Sequence, residues 1–197
     1  MSDGERFDAH YYDRYYEDPE TRVVAQSDIA RLGGFVRAYL SYLELPVRRV
    51  LDMGCGMGLW KPTIAEEFPD ATYTGVEISE YLCRRFGYTR GSVTSYVGRG
   101  RFDLLICQGV LQYVPDKELH KAIRNLARLC RGVLYLEVLT QEDWDHNCDQ
   151  ERTDGDVRLR PSAQYRQLLR PHFVAIGGGL FLSRQAEVTL YELEKLE

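Results

Sequence analysis

Hydrophobic positions follow helix and strand periods along most of the chain. Residues 27–45 repeat apolar side chains at helical spacing before Pro46, which predicts an amphipathic helix. Further along, near-continuous apolar runs predict buried strands at 49–53, 72–77, 91–93 (weak), 102–108 and 133–140, and helices are predicted between them at 59–68, 79–86 and 116–130, with Asp116 as N-cap of the last. Buried strands that alternate with helices indicate a parallel sheet covered on both faces.

The last third of the chain breaks this alternation. Residues 161–170 predict a helix, and residues 173–183 and 187–193 predict two successive strands with a short loop between them. Strands joined in this way pair antiparallel. We therefore expect one α/β domain over residues 1–197, with a doubly wound, mostly parallel seven-stranded sheet, helices on both faces and an antiparallel C-terminal edge strand.

A glycine-rich run follows the first predicted strand. Gly54, Gly56 and Gly58 stand at every second position, and Asp52 precedes them. Glycines in such a loop let bare backbone approach a ligand. The spacing differs from the dinucleotide pattern G-x-G-x-x-G, and the loop lacks the G-K-[ST] of a phosphate-binding loop. A carboxylate at the mouth suits a ligand with an ammonium group, such as S-adenosylmethionine, better than a pyrophosphate.

From Asp52 to Gly58 the chain resembles the class I S-adenosylmethionine-dependent methyltransferases. A second acid, Glu77, follows Gly58 by 19 positions, at the end of the second predicted strand. An acid at this place commonly accepts hydrogen bonds from a ribose. The resemblance implies that Glu77 holds both ribose hydroxyls and that Ile78 packs on the adenine. Alternatively, Glu77 only caps the helix over 79–86.

Two more predicted strands end at the same edge of the sheet, where ligands bind in open parallel sheets. The resemblance places Ser92 beside the adenine amine, where relatives usually have an acid or polar residue, and the backbone N–H of Val93 could recognise the adenine instead. It also places Gln108 and Gly109 against the methionine part of the cofactor. Ser92 and Gln108 could instead be solvated loop residues.

The sequence constrains the catalytic residues less than the cofactor site. Methyl transfer is an in-line displacement in which the protein positions the acceptor, and a base is needed only for a weakly acidic or protonated acceptor. Residues 141–160 follow the fifth strand and predict an insertion on the acceptor side, with His146 as a candidate base. Glu137 is a second candidate. The alternatives are a solvated loop histidine and an ion pair between Glu137 and a C-terminal arginine.

Further residues near the predicted site have two interpretations each. Arg158 and Arg160 could clamp a carboxylate or phosphate of the substrate, or pair with Asp154 and Asp156. Tyr113 could pack against the methionine end of the cofactor or in the core. The N-terminal tyrosines share one helical face and could cover the cofactor or pack on the surface, within an N-terminal helical cap over residues 1–45; these are Tyr11, Tyr12, Tyr15 and Tyr16.

Composition narrows the partners. The net charge of −5 and the lack of a basic cluster argue against nucleic acid. No apolar stretch approaches the roughly 20 residues that span a bilayer, and the polar N-terminus does not resemble a signal peptide. The five scattered cysteines fit neither a disulfide framework nor a zinc site, which favours a cytoplasmic location.

Together these observations predict a cytoplasmic S-adenosylmethionine-dependent methyltransferase that methylates oxygen or nitrogen of a small molecule and releases S-adenosylhomocysteine. We expect no metal and no nucleic-acid or membrane partner, and a homodimer is left open. Two alternatives stay open. One is a non-catalytic S-adenosylmethionine-binding interaction protein. The other is a protein methyltransferase whose acidic loop over 142–156 holds a charged peptide.

Overall fold

A computed structural model describes residues 6–17 and 24–196 and contains one seven-stranded sheet in the order β3-β2-β1-β4-β5-β7-β6. The strands are β1 (Arg49–Met53), β2 (Thr72–Glu77), β3 (Thr89–Arg90), β4 (Phe102–Gln108), β5 (Cys130–Glu137), β6 (Phe173–Gly177) and β7 (Leu180–Ser183). The helices are α1 (Ala9–Tyr12), α2 (Gln26–Tyr42), α3 (Trp60–Glu67), α4 (Glu80–Phe86), α5 (Asp116–Leu129), α6 (Gln141–His146) and α7 (Ser162–Leu169).

The strand order reverses between β1 and β4, which are parallel neighbours in the sheet. From β1 the chain builds outward through β2 and β3, and it then returns to place β4 and β5 on the other side. A crevice opens at such a reversal, beyond the carboxyl ends of the strands. The glycine loop follows β1 directly, so the topology places it in this crevice.

Alternate residues of the central strands enter two separate cores. Leu105 and Cys107 of β4 face α5 and α7, whereas Leu104 and Ile106 face α2 and α3. All four side chains are fully buried. This period-two division explains why β4 has an almost continuous apolar sequence, because both of its faces are covered.

The predicted fold class is confirmed. The bounds of β1, β2 and β4 match the prediction. The antiparallel strand near the C-terminus is β7, which pairs with both β5 and β6 and therefore lies one position inside the edge. The weak strand predicted at 91–93 forms two residues earlier, as β3, and β5 begins three residues earlier than predicted because α5 ends directly at Cys130. Pro115, not Asp116, occupies the N-cap of α5.

The prediction of two separate C-terminal strands was wrong in detail. Residues 173–183 fold back on themselves as the β6–β7 hairpin, and residues 187–193 form no strand. The turn consists of Gly177, Gly178 and Gly179, whose φ angles are 92°, 58° and 76°. Glycine adopts the left-handed region at little steric cost, so three consecutive glycines allow the chain to reverse direction here.

The predicted N-terminal cap over 1–45 falls partly outside the described residues. The described part contains α1, a π-helical turn (Asp13–Glu17) and α2. Helix α2 packs against α3 through Gly33, where a β-carbon would collide with the side chain of Thr63. The side chain of Tyr16 also lies outside the described residues. The subdivision into cap, core and insertion stays a prediction.

Candidate active site

The loop after β1 adopts a backbone that requires glycine. Gly54, Gly56 and Gly58 have φ angles of 76°, 50° and 76°. A β-carbon on Gly54 would collide with Val110, and one on Gly58 with the hydroxyl of Tyr88. A β-carbon on Gly56 would meet nothing within 4 Å and would project into open space. The loop is therefore packed against the protein at two glycines and bare toward a cavity at the middle one.

Asp52 lies beneath this loop at 2% exposure. The Tyr73 hydroxyl donates a hydrogen bond of 2.6 Å to its Oδ2. The pKa of Asp52 is raised to about 7: burial is the main cause, the Glu77 carboxylate adds to the rise, and the Tyr73 hydrogen bond opposes it. A charged Asp52 would gain from a cation close by, because burial leaves its carboxylate poorly solvated.

Glu77 ends β2 and lies across from the middle of the loop. Its Oε2 accepts a hydrogen bond of 2.8 Å from the backbone N–H of Gly56, and its Oε1 accepts bonds of 2.8 and 3.0 Å from Ile78 and Ser79. The N-cap of α4 is Ser79, which accepts from Leu82. Glu77 therefore joins the glycine loop to the start of α4, and the interpretation of Glu77 as only a helix cap does not account for its contact with Gly56.

A first cavity of about 300 Å³ opens beside Glu77. Its size is at the lower end of the range for small-molecule sites, about 300–1,000 Å³. The structure brings eight of the predicted cofactor residues to its wall, namely Gly54, Gly56, Glu77, Ile78, Ser92, Val93, Gln108 and Gly109. Ser92 bonds to Thr94 at 3.0 Å, and Val93 is buried. Gly58 does not line this cavity, since Tyr88 packs against it.

A second cavity of about 650 Å³ adjoins the first. Gly54, Gly56, Gln108 and Gly109 line both cavities, so the two spaces meet at the glycine loop and at the end of β4. Asp52 and Glu137 line only the second cavity, together with parts of the segment over 139–154. A ligand in the first cavity and a ligand in the second would therefore meet above the loop.

The end of β4 is held in place by side-chain hydrogen bonds. Trp60 Nε1 donates to Gln108 Oε1 at 2.8 Å, and Gln108 Nε2 donates to Glu137 Oε2 at 3.1 Å. Tyr135 donates to the same carboxylate oxygen at 2.9 Å. Glu137 is exposed at the end of β5 and has no ion pair among the residues that the structure describes. The expected pair with a C-terminal arginine is thus not formed.

The N-terminal segment covers the junction of the two cavities. Tyr11 donates to the Tyr113 hydroxyl at 2.8 Å, and Tyr113 donates to Asp154 at 3.0 Å. Arg6 forms ion pairs with Asp154 at 2.8 Å and with Asp156 at 2.9 Å, and its guanidinium lies 5.0 Å from the centre of the Tyr113 ring. These contacts link three parts of the chain that are distant in sequence.

The remaining predicted residues lie in different places. His146 is exposed at the end of α6 and lines neither cavity, so no contact supports a catalytic role, which stays a prediction. Arg160 is buried and donates to the backbone oxygens of Leu111 and Val114, and it pairs with Asp116. It therefore holds the turn at Leu111–Tyr113 and is not free to clamp a substrate.

Arg158 is the arginine that does reach the site. It is exposed, lines the first cavity and donates from Nη1 to the carbonyl of Tyr113 at 3.5 Å. Arg6 is the partner of Asp154 and Asp156, and the sequence does not indicate this pairing because Arg6 lies about 150 positions away. Sequence reasoning also missed Gln112, a buried residue in the turn before α5 that lines the second cavity.

Across residues 6–17 and 24–196, no group of three or more histidine, cysteine or acidic side chains is arranged to hold a metal ion. Within the same ranges, no helix combines the length and the apolar character needed to cross a bilayer.

The sheet order, the glycine loop and the acids at the ends of β1 and β2 define a class I, Rossmann-like methyltransferase fold. The family described as "Methyltransferase domain" matches residues 12–175, and the chain belongs to this methyltransferase family.

Individual relatives are more distant. The chain is 28% identical over 144 residues to the trans-aconitate 2-methyltransferase of Deinococcus radiodurans, an alignment that covers 66% of this chain and 50% of the relative. The chain spans about half the length of the curated relatives it matches.

Solved structures agree with the fold. The sugar N-methyltransferase KedS8 of Streptoalloteichus gives a TM-score of 0.62 at 20% identity, over 95% of each chain. The magnesium protoporphyrin IX methyltransferase of Synechocystis, solved with bound SAH, gives 0.61 at 20% identity, over 94% of each chain.

Proposed function

We propose that this protein is an S-adenosylmethionine-dependent methyltransferase that acts on oxygen or nitrogen of a small molecule. The observation that carries the proposal is the junction of two cavities above the bare face of the glycine loop. One cavity contains the acid at the end of β2, and the other contains the acid of β1. Such a pair of spaces suits a nucleoside donor and a separate acceptor.

The residues present fit the cofactor. Gly56 leaves open space where a side chain would otherwise stand, and the neighbouring Glu77 offers a carboxylate to ribose hydroxyls. Ile78 and Val93 provide apolar surface for an adenine, and Ser92 provides a hydroxyl. Asp52 would hold the ammonium group. When bound, S-adenosylmethionine supplies a methyl group already activated by its sulfonium.

The protein's own contribution is to position the acceptor. Hydrogen bonds join Tyr11, Tyr113 and Asp154, which line the second cavity, so these side chains would contact an acceptor bound there. The Gln108–Glu137 hydrogen bond fixes the end of β4, where donor and acceptor would meet. Among the described carboxylates, Glu137 is our candidate for a base. It lines the second cavity, and its exposure would let it release a proton to solvent.

The small-molecule acceptor is supported by the volume of the second cavity, about 650 Å³, and by relatives. Trans-aconitate and sugars are the acceptors that the names of two relatives state. A chain that spans about half of its curated relatives need not share their acceptors. The homodimer, the cytoplasmic location and the exclusion of nucleic-acid, membrane and metal partners stay predictions.

The cofactor assignment is tested by binding of S-adenosylhomocysteine to Gly56→Ala, measured by calorimetry. We expect at least roughly tenfold weaker binding, because the new methyl group occupies the cavity beside the loop. The left-handed backbone costs the variant about 1–2 kcal/mol of stability as well. Gly87→Ala is the matched control, since Gly87 has a φ of 71°, equally open surroundings and a position at the end of α4 outside both cavities.

Equal affinity of the two variants would contradict the assignment of the loop. Turnover then separates the functional classes. A methyltransferase should release S-adenosylhomocysteine from S-adenosylmethionine with some members of a broad acceptor panel. Tight cofactor binding without turnover would favour the non-catalytic interaction protein, and methyl-labelled protein bands in a lysate would favour a protein methyltransferase.

A further inference from the structure

We infer that the acceptor is a small molecule that carries an amine, held as a cation or hydrogen-bond donor in the second cavity. This inference rests on the proposed function and names its substrate class. It starts from the charges around the cavity. Five of the described residues that line it are acids, and none is lysine, arginine or histidine; the acids are Asp28, Asp52, Glu137, Asp143 and Asp154.

Not all five acids contribute equally. Arg31 pairs with Asp28 at 2.5 Å, and Arg6 pairs with Asp154 at 2.8 Å, so these two carboxylates are already balanced. Asp52 faces the glycine loop and would be used by the cofactor. Glu137 and Asp143 are left, and neither has an ion pair among the residues that the structure describes. A second cation is therefore the ligand that the remaining charge favours.

Asp143 keeps its charge in this setting. Burial acts to raise its pKa, but hydrogen bonds from Thr140 and Asn147 lower the pKa overall. Asp143 lies in the first turn of α6, and its Oδ2 accepts from the Thr140 hydroxyl at 2.6 Å. Glu137 lies at the end of β5 on the same cavity. An anionic acceptor in this cavity would meet repulsion from both carboxylates.

A second, independent observation points to a hydrogen-bond donor. Gln112 is only 8% exposed and lines the same cavity, and its amide oxygen has no hydrogen-bond partner among the described residues. A buried acceptor without a partner is destabilising. The turn that carries Gln112 is fixed by Arg160, so the side chain cannot relax by moving the backbone. An N–H group of a bound acceptor would satisfy this oxygen.

The walls of the cavity also favour a cation. Aromatic rings of Tyr11, Tyr15, Trp60 and Tyr113 line it. Ring faces attract ammonium groups, most strongly where water is excluded. The carboxylates, the amide oxygen without a partner and the aromatic rings all favour a ligand with an ammonium group. A substrate with a carboxylate would meet no lysine, arginine or histidine among the described residues that line this cavity.

The reaction balances for an amine. The ammonium form must first lose a proton, which a cavity carboxylate such as Glu137 can pass to water. The nitrogen lone pair then forms the new N–C bond while the C–S bond of the donor breaks and its electron pair stays on sulfur. The products are the methylated amine in its ammonium form and S-adenosylhomocysteine, and the proton released before the attack enters solvent.

The test uses three probes of matched size, namely 2-phenylethylamine, 2-phenylethanol and 3-phenylpropionate. Each is titrated into the full chain saturated with S-adenosylhomocysteine, and affinity is measured by calorimetry. We expect the amine to bind best and the carboxylate worst. Stronger binding of the carboxylate, or no binding of the amine up to about 10 mM, would overturn the inference.

Two variants locate the effect. Glu137→Gln should weaken amine binding roughly fivefold, because one charge is lost while a polar group of the same shape remains. The matched control is Glu66→Gln, an exposed acid on α3 that lines neither cavity. Gln112→Met should also weaken amine binding roughly fivefold without lowering stability in urea, since the amide oxygen it removes is unpaired.

Amine affinity unchanged in both variants would also contradict the inference. The proposed function fails in a different way. If S-adenosylhomocysteine does not bind the chain at all, the cofactor assignment is wrong. If it binds and the amine preference is absent, only the acceptor class is wrong.

Discussion

At the scale of single residues, the site depends on two carboxylates in different states. Glu77 accepts hydrogen bonds from three backbone N–H groups, one in the glycine loop and two at the start of α4, which fixes its position before any ligand arrives. Asp52 has one hydrogen bond, from Tyr73, and almost no exposure. Glu77 therefore holds the glycine loop in place, whereas Asp52 can change its protonation state when a cation binds nearby.

The raised pKa of Asp52 predicts a pH dependence of cofactor binding. Burial places this pKa near 7, above its ordinary value of 3.8, so folding favours the protonated form and stability falls as pH rises through that window. A bound ammonium favours the carboxylate instead. Affinity for S-adenosylhomocysteine should therefore fall as pH drops below about 7, by up to about tenfold per pH unit.

Calorimetry between about pH 5.5 and 8.5 measures this dependence, because the range spans the pKa of Asp52, which is about 7. Asp52→Asn should bind more weakly at high pH and show a flat profile over the range, because the amide does not titrate. A flat profile for the unaltered protein would show that Asp52 does not hold the ammonium.

At the scale of elements, the turn between β4 and α5 is the part that joins core and site. Arg160 donates to the carbonyls of Leu111 and Val114 and to the hydroxyl of Tyr165, all from a buried position. The turn in between carries Gln112 and Tyr113. A single guanidinium thus fixes the residues that face both cavities.

Arg160→Met should destabilise the protein by roughly 2–4 kcal/mol, because two buried carbonyl oxygens lose their donor. Urea unfolding measures the loss. Arg166→Met on α7 is the control, since Arg166 is exposed and should tolerate the change within about 0.5 kcal/mol. Arg160→Lys should restore only part of the stability, since an ammonium cannot reproduce the planar set of donors. Equal stability of the two methionine variants would refute the role of Arg160.

In the molecule as a whole, the segment between β5 and α7 leaves the domain and returns to it at nearly the same place. The N–H of Gln141 donates to the carbonyl of Arg160 at 2.9 Å, so the two ends of the segment are already adjacent. Between them, Asp154 contacts Arg6 and Tyr113 above the cavities. The segment is therefore anchored at its base and touches the site near its tip.

Replacement of residues 143–159 by a Gly-Ser-Gly linker should leave the fold intact, because Glu142 and Arg160 are kept. We expect S-adenosylhomocysteine to bind within about fivefold of the unaltered affinity and turnover to be lost, since the second cavity loses one wall. Circular dichroism and calorimetry test the first two expectations, and product release tests the third. Retained turnover would exclude this segment from acceptor binding.

Strong local patterns explain which elements the sequence predicted well. The predicted bounds of strands β1, β2 and β4 agree with the structure at both ends. In each case a polar residue or a glycine stands at or beside each end of the run. The hairpin at Gly177–Gly179 was missed, because a run from 173 to 183 reads as one strand unless the glycines are taken as a turn. Strand β3 contains only two residues, too few for a period.

Local features of the sequence suffice to predict the fold class and the crevice in which the site lies, namely strand period, glycine spacing and the acids at the ends of β1 and β2. Which residues surround the second cavity depends on how the elements pack in three dimensions. Tyr11, Gln112, Glu137 and Asp154 come from different parts of the chain, and their contacts depend on packing between elements. His146 is the opposite case. It lies close in sequence to residues of the site, but its side chain lines neither cavity.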